Sequence, residues 1–319
     1  MRIAVLCGGR SAERPVSLSS GRAVAEALRG KGHEVVVHDM DERTIPELAH
    51  QAVDLAFIAL HGRMGEDGTV QGALETIGVP YVGSGVLASA VAMDKCLTKR
   101  LLSTYGIQVG RERVVRTGDP ESWQEVAASA LHELGTPVVV KPNREGSTFG
   151  LTLARTPEQV QDGLRLALSY DDTAIIEEYL RGMELTVAVV GEGHAPRTLG
   201  VIEIIPKNEL YDYESKYEEG GSQHIIPARL PEAVLQRVDE VATRAYRALG
   251  CRDYARVDLI HTERGPVVLE VNTAPGMTAT SLVPDAARES GLAFADFVEW
   301  LVTQAWQRAQ AIGKTTARI

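Results

Sequence analysis

Apolar and polar positions follow three successive patterns along the chain. Residues 2–7 (RIAVLC) form a short apolar run that stops at Gly8-Gly9, and helical spacing through Val24, Ala27 and Leu28 follows a polar stretch. Glu34–His38 and Leu55–Leu60 (LAFIAL) repeat the scheme, and Pro80–Gly83 adds a further short strand. Continuous apolar strands with helices between them predict a parallel sheet covered on both faces.

Residues 92–180 read differently. Helix patterns at 94–105 and 121–134 lead to a strand at Pro137–Lys141 (PVVVK), a glycine-rich loop at Gly146–Gly150 and a strand at Leu151–Ala154. A helix at 157–169 and a strand at Ala174–Glu178 (AIIEE) follow. Strand, glycine-containing loop, strand is antiparallel grammar and predicts a separate α+β unit. From 181 come several strands, a polar Tyr-rich loop at 207–223, a helix at 231–249, paired strands over 254–272 and an amphipathic helix at 293–311. The expected division is therefore 1–91, 92–180 and 181–319, an α/β unit followed by α+β units.

Composition narrows the class. With 319 residues, 44% hydrophobic and 24% charged, a normal core forms and global disorder is excluded. Aromatics at 5% leave Val, Leu, Ile and Ala to build that core. A net charge of −10, from 43 acids and 33 bases, argues against a dedicated nucleic-acid binder. Cys7, Cys96 and Cys251 are too few and scattered for a disulfide framework or a CxxC zinc site. The opening MRIAVLCGGR is too short an apolar run for a signal peptide, and no stretch approaches a membrane span. The expectation is a soluble cytoplasmic protein.

Chemistry concentrates in Tyr254–Ile260 (YARVDLI) and Pro266–Asn272 (PVVLEVN). Residues two apart on a strand share a face, so Arg256 pairs with Asp258 on one strand and Glu270 with Asn272 on the other. Glu263-Arg264-Gly265 predicts a three-residue hairpin loop. Centred on Arg264, it sets Asp258 opposite Glu270 and Arg256 opposite Asn272. An ordinary strand pair with a satisfied ion pair would use the same residues. Two carboxylates in direct opposition are destabilising without a cation, however, which favours an all-oxygen Mg²⁺ site. Because Mg²⁺ is usually completed by substrate phosphates, that site points to a nucleotide. Lys141 and the small residues of Glu145–Gly150 fit a loop laid over those phosphates.

Other motifs carry less. Gly313-Lys-Thr-Thr316 resembles the end of a Walker A loop, but Arg308 occupies the place of its first glycine, so it reads as a solvated tail. Gly83-Ser-Gly85-Val-Leu-Ala88 matches GxGxxA between a strand and a helix, yet no acid ends a following strand about 20 residues on. An NAD-dependent dehydrogenase is the remote alternative. GxSxG and HExxH are absent. His61 lies just past the LAFIAL strand, where open parallel sheets bind ligands.

GGRSAE (8–13), LHGRMGEDGTVQG (60–72), YVGSGVLASAVAMDK (81–95), VVKPNREGSTFG (139–150), YDYESKY (211–217), ARVDL (255–259) and LEVNTAPGMTATSLVP (269–284) together resemble the D-alanine–D-alanine ligases of the ATP-grasp superfamily. The likeness covers nearly the whole chain and makes GSGVLA a structural turn. It implies a three-domain ATP-grasp architecture whose N-terminal parallel sheet is Rossmann-like, with ATP between the central and C-terminal domains. By resemblance, Lys95 and Lys141 hold the ATP phosphates. Glu177, Glu178, Tyr179 and Leu180 receive adenine, and Glu184 faces the ribose. Asp258, Glu270 and Asn272 match the ligands of two Mg²⁺ (or Mn²⁺), while a monovalent cation requirement stays open. Glu13 matches the acid for the first D-alanine's ammonium, with His61 beside it. Ser147 and Tyr217 match the polar pair linked to Glu13, and Lys216 shares the loop of Tyr217. Ser281 and Leu282 match the groups holding the second D-alanine's carboxylate.

The implied reaction is ATP-dependent ligation of two D-alanine molecules through an acyl phosphate, for peptidoglycan precursor synthesis. Arg256 and the Gly276 N–H would stabilise the tetrahedral oxyanion. Residues 145–150 and 206–221 would close as lids. A cytoplasmic homodimer, with no nucleic-acid or membrane partner, is the family expectation. Relatives commonly read Glu-His-Glu-Val-Ser or Glu-Arg-Glu-Val-Ser where this chain has Glu13-Arg14-Pro15-Val16-Ser17, so Pro15 replaces an acid and removes a backbone donor. The alternatives are a D-alanine–D-lactate ligase, another ATP-grasp carboxylate–amine ligase, and a nucleotide-binding regulator on the same fold.

Overall fold

The apolar run of β1 (Arg2–Cys7) forms the centre of a parallel sheet with β2 (Glu34–Asp39), β3 (Leu55–Ile58) and β4 (Tyr81–Val82), in the order β2-β1-β3-β4. Ile3, Ala4, Val5 and Leu6 are wholly buried, which explains why that run does not alternate with polar residues. On one face α1 (Arg14–Gly30) brings Val24, Ala25 and Leu28 onto Ile3 and Val5. On the other, α2 (Thr44–His50) and α3 (Thr69–Thr76) bring Leu48, Val70 and Leu74 onto Ala4, Leu6 and Ile58. This computed structural model describes residues 1–191, 195–207, 221–278 and 281–316, with backbone alone from 312.

The second sheet is antiparallel, built from β5 (Glu112–Arg116), β6 (Val138–Pro142), β7 (Thr152–Ala154) and β8 (Thr173–Glu178) in the order β5-β8-β6-β7. Helices α6 (Trp123–Leu134) and α7 (Pro157–Tyr170) cover one face through Val126, Ala130, Val160 and Leu164. A capping box, Ser122 with Glu125, starts α6, and Thr156 caps α7. Along β6 Val138 and Val140 are buried under those helices, whereas Val139 and Lys141 turn to the open face.

The third sheet joins β9 (Met183–Val190), β10 (Arg197–Pro206), β11 (Ser222–Ile225), β12 (Tyr254–Thr262) and β13 (Gly265–Asn272), antiparallel in the order β11-β10-β9-β12-β13. One face packs on α8 (Glu232–Ala248) together with residues of α4 (Val86–Met93) and α5 (Lys95–Thr104). Ala188, Val190, Ile202 and Tyr254 on the other face share one core with β1, β3 and α1, completed by α9 (Leu282–Glu289) and α10 (Phe294–Thr316). First and third sheets are thus held by common side chains, while the second keeps a separate core.

Two expectations about loops are corrected. The β12–β13 turn has two residues, Glu263 and Arg264, and Gly265 at φ 97° already belongs to β13. That tighter turn alone would set Asp258 opposite Leu269. A bulge between Asp258 and Leu259 leaves Leu269 as the extra residue and restores Asp258 to Glu270 and Arg256 to Asn272. Gly313–Thr316, read as a tail, continues the α10 helix.

Candidate active site

Two clefts meet between the sheets. The larger, about 400 Å³, takes Glu13, His61, Lys95, Ser147, Arg256, Glu270, Asn272, Gly276, Ser281 and Leu282 from the predicted set. The smaller, about 160 Å³, takes Lys95, Lys141, Ser147, Glu177, Glu178, Tyr179, Leu180, Glu184, Asp258 and Glu270. Lys95, Glu145, Gly146, Ser147 and Glu270 line both, so the clefts join at one junction. Lys216 and Tyr217, with most of the predicted lid at 206–221, lie outside the described residues.

In the larger cleft Glu13 stands at the N-terminal end of α1, and the Ser147 hydroxyl donates to its Oε1. A Cβ on Gly62 or Gly146 would come within 2.9 or 2.8 Å of Glu13 Oε2 and push that carboxylate from its place, and Gly62 also holds a left-handed φ of 69°. Pro15 lies in the first turn of α1, where an N–H has no helical partner. The substitution therefore leaves the helix intact.

His61 is buried and clamps two segments together. Its Nδ1 lies 2.9 Å from the Ala274 carbonyl, which can only accept, so Nδ1 carries the proton. Nε2, 3.0 Å from Ser20 Oγ, accepts from that hydroxyl, which in turn accepts the Met277 N–H at 3.1 Å. Burial pushes the imidazole pKa down, and the Glu13 charge only partly opposes this. A neutral ring thus fastens the first sheet to the loop carrying Gly276. Ser281 precedes α9, and its Oγ accepts from the Thr278 N–H at 3.0 Å. The N-terminal end of that helix favours a carboxylate.

At the junction, Lys95 Nζ donates to the Glu145 carbonyl at 2.7 Å and lies 3.6 Å from Glu270 Oε2. Arg63 reaches across to Glu145 at 3.1 Å and to the Tyr170 carbonyl at 3.0 Å, fixing the glycine loop from the side of the first sheet. Ser147 and Thr148 hold left-handed φ values of 47° and 65° in that loop.

Asp258 and Glu270 do oppose each other, but each faces a cation. Arg256 donates from Nε to Asp258 Oδ1 at 2.9 Å and from NH2 to Oδ2 at 2.8 Å, while Thr186 Oγ1 donates to Oδ1 at 2.5 Å. The pair forms because residues two apart share a strand face. Asp258, Glu270 and Asn272 are hard oxygen donors suited to Mg²⁺. Among the described residues, however, no group of three or more His, Cys, Asp or Glu side chains is placed to hold a metal. Such a partial donor set fits an ion completed by phosphates, and Arg256 would have to release Asp258 to admit it.

In the smaller cleft Lys141 Nζ lies 2.6 Å from Glu177, and Lys99 lies 2.8 Å from the other carboxylate oxygen. Burial pushes the Glu177 carboxyl up, but the two lysines outweigh it and hold it at about 2. Glu178 accepts from the Arg111 amide at 2.9 Å and from its Nε at 3.1 Å. Both glutamate side chains are therefore engaged by protein.

Glu66 and His224 line the larger cleft without having drawn a role from the sequence. Burial and then the Glu13 charge push the Glu66 carboxyl well above its usual range, although Gly62 N–H donates to it at 3.0 Å. Its signal was its place in the HGRMGEDG loop; its burial depends on distant packing. The GSG turn, by contrast, is tied to protein: Gly83 N–H donates to Asp253 Oδ2 at 2.7 Å and Arg252 Nε donates to the Gly83 carbonyl at 2.9 Å.

Two antiparallel sheets closing over a lysine-lined cleft, beside a parallel-sheet lobe with its own carboxylate pocket, define an ATP-grasp carboxylate–amine ligase. Residues 43–84 match the family described as D-ala D-ala ligase N-terminus, and residues 101–303 match D-ala D-ala ligase C-terminus. The D-alanine–D-alanine ligase of Halalkalibacterium halodurans is 50% identical over 305 residues, covering 95% of this chain and 98% of the relative. The crystal structure of the Bacillus anthracis D-alanine–D-alanine ligase superposes with a TM-score of 0.85 at 32% identity, covering 98% of this chain and 99% of that one. The same ligase complexed with ATP gives a TM-score of 0.84 at 31% identity, with the same coverage. The chain belongs to the D-alanine–D-alanine ligase family.

Proposed function

We propose that this protein joins two D-alanine molecules into D-alanyl-D-alanine, driven by conversion of ATP to ADP and phosphate. The observation carrying this reading is the junction at Lys95, Glu145–Ser147 and Glu270, where the larger cleft, holding the Glu13 carboxylate, opens directly onto the smaller one, lined by Lys141 and Lys95. ATP enters the smaller cleft with adenine against residues 177–180, ribose toward Glu184, and phosphates at Lys141 and Lys95. The first D-alanine sets its ammonium on Glu13, near the neutral His61. Its carboxylate then reaches the junction and attacks the γ-phosphorus, and ADP departs to leave an acyl phosphate. The second D-alanine places its carboxylate at Ser281 and Leu282. Its amine attacks the acyl carbon, loses its proton, and expels phosphate. Arg256 and the Gly276 N–H face the oxygen that gains charge in that step.

Mg²⁺ or Mn²⁺ held by Asp258, Glu270 and Asn272 would supply neutralisation of phosphate charge. Lys216 and Tyr217, retained in the sequence, support an amine rather than a hydroxyl acceptor. Units cut near 92 and 181, in a cytoplasmic homodimer, complete the reading on family likeness. No described helix is long and apolar enough to cross a membrane.

The test is phosphate release from ATP and Mg²⁺ with a panel of D- and L-amino acids and D-lactate. D-alanine should stimulate strongly and yield the dipeptide. No stimulation above background would defeat the reading, and faster turnover with D-lactate as acceptor would replace it with depsipeptide synthesis.

A further inference from the structure

Behind the nucleotide cleft runs a buried row of alternating charges. Lys99 Nζ, on α5, lies 2.8 Å from Glu112 Oε2 and 2.8 Å from Glu177 Oε1. The remaining Glu177 oxygen meets Lys141 at 2.6 Å. Glu112 and Glu177 are cross-strand partners on β5 and β8. The side chains of Lys99, Glu177 and Glu112 are 4%, 9% and 14% exposed. Lys141 and Glu177 line the cleft; Lys99 and Glu112 stand behind it. Two carboxylates directly opposed across strands repel each other, and in a desolvated wall that repulsion is large unless a cation sits between them. Lys99 is that cation.

We propose that Lys99 is a positioning residue for the nucleotide. By neutralising Glu112 and one oxygen of Glu177, it leaves Glu177 a single oxygen with which to hold the Lys141 ammonium at the cleft. The inference rests on the reading of this cleft as the ATP site. Without Lys99 the wall carries an uncompensated negative charge beside the seat of a polyanion. Lys141, already paired with Glu177 in the cleft wall, is then drawn back to offset it. Burial pushes a lysine's pKa down, but Glu177 and then Glu112 reverse this for Lys99, so it keeps its charge. The larger cleft, where the amino acids sit, contains neither Lys99 nor Glu112.

The experiment compares wild type, Lys99→Met and Lys99→Met/Glu112→Gln as full chains. Kd for ATP with Mg²⁺ is measured by calorimetry, alongside KM for ATP and for D-alanine. Lys99→Met should weaken nucleotide binding roughly tenfold or more, leaving KM for D-alanine within about twofold. The double variant, which removes one carboxylate with the lysine, should return nucleotide affinity to within about threefold of wild type. An unchanged Kd in Lys99→Met would overturn the proposal. So would a double variant as weak as the single one, because lost packing rather than charge would then be the cause. Should Lys99→Met fail to fold, Lys99→Gln takes its place in the same comparison: a tenfold loss that the added Glu112→Gln restores supports the proposal, and an unchanged Kd defeats it. Failure of wild type to bind ATP would instead defeat the reading of the cleft.

Discussion

Glu66 accepts the Gly62 amide under the field of Glu13, whereas Glu177 is gripped by Lys99 and Lys141. Both are buried, yet burial and like charge raise the first pKa while two cations lower the second to about 2. The stability consequences have opposite signs. The Glu177 contribution is present above the ordinary carboxyl pKa and is lost as pH falls from there toward 2. Glu66 costs stability as pH rises above the ordinary carboxyl pKa toward its own raised value. Glu66→Gln should therefore raise Tm at pH 8 and change it little near pH 5; a gain independent of pH, followed by calorimetry, would remove the titration argument. At the junction, Glu270→Gln should lower kcat by at least about a hundredfold while far-UV circular dichroism and Tm stay near wild type. Near-normal turnover would displace Glu270 from phosphoryl transfer.

Among the elements, the β12–β13 hairpin shows how far sequence reasoning reaches. Alternation and a glycine near the turn were enough to pair Asp258 with Glu270, because the strand period is strict. The turn length was misread, and the bulge at Leu269 compensated for it, since bulges leave no periodic trace in an apolar run. Arg256 was legible as a neighbour of Asp258 on one face but not as its bidentate partner, which depends on side-chain rotamers. That partnership yields a prediction: a divalent cation must compete with the guanidinium for Asp258. Arg256→Met should tighten Mn²⁺ binding several-fold in an electron paramagnetic resonance titration while kcat falls at least about a hundredfold. Weaker Mn²⁺ binding would show that Arg256 assists the cation site instead. The Lys99 row was illegible for a similar reason: its members come from α5, β5, β6 and β8, and only the folded sheet brings them together.

Across the whole molecule, the change from parallel to antiparallel sheet was readable from changes of pattern, but the sharing of cores was not. Long-range packing puts Ile3, Val5, Val190, Tyr254 and Phe297 in one cluster, whereas Val138, Val140 and Leu164 belong to another. Hydrogen exchange should accordingly show the first and third sheets losing protection together, with residues 112–178 opening independently. Uniform exchange across all three would contradict this. The joint between first and third is also pinned by Arg308, whose NH1 lies 2.5 Å from the buried Asp253 Oδ1 and whose NH2 donates to the Tyr81 carbonyl at 3.0 Å. Arg308→Met strands that carboxylate and should cost about 3–5 kcal/mol in a denaturant titration. A loss below about 1 kcal/mol would mean that water reaches Asp253.

The helix Phe294–Thr316 also bears on how the protein is made. It packs on α1, β3 and β4, and His33 Nε2 meets its Glu299 at 2.6 Å, yet it is translated after all of them. At about 5–20 residues per second, β3 and β4 wait on the order of tens of seconds for this cover. During that interval the nascent first lobe presents its apolar face to the cell. A ribosome-bound chain halted before Phe294 should therefore be captured by chaperones, and completing the helix should release it.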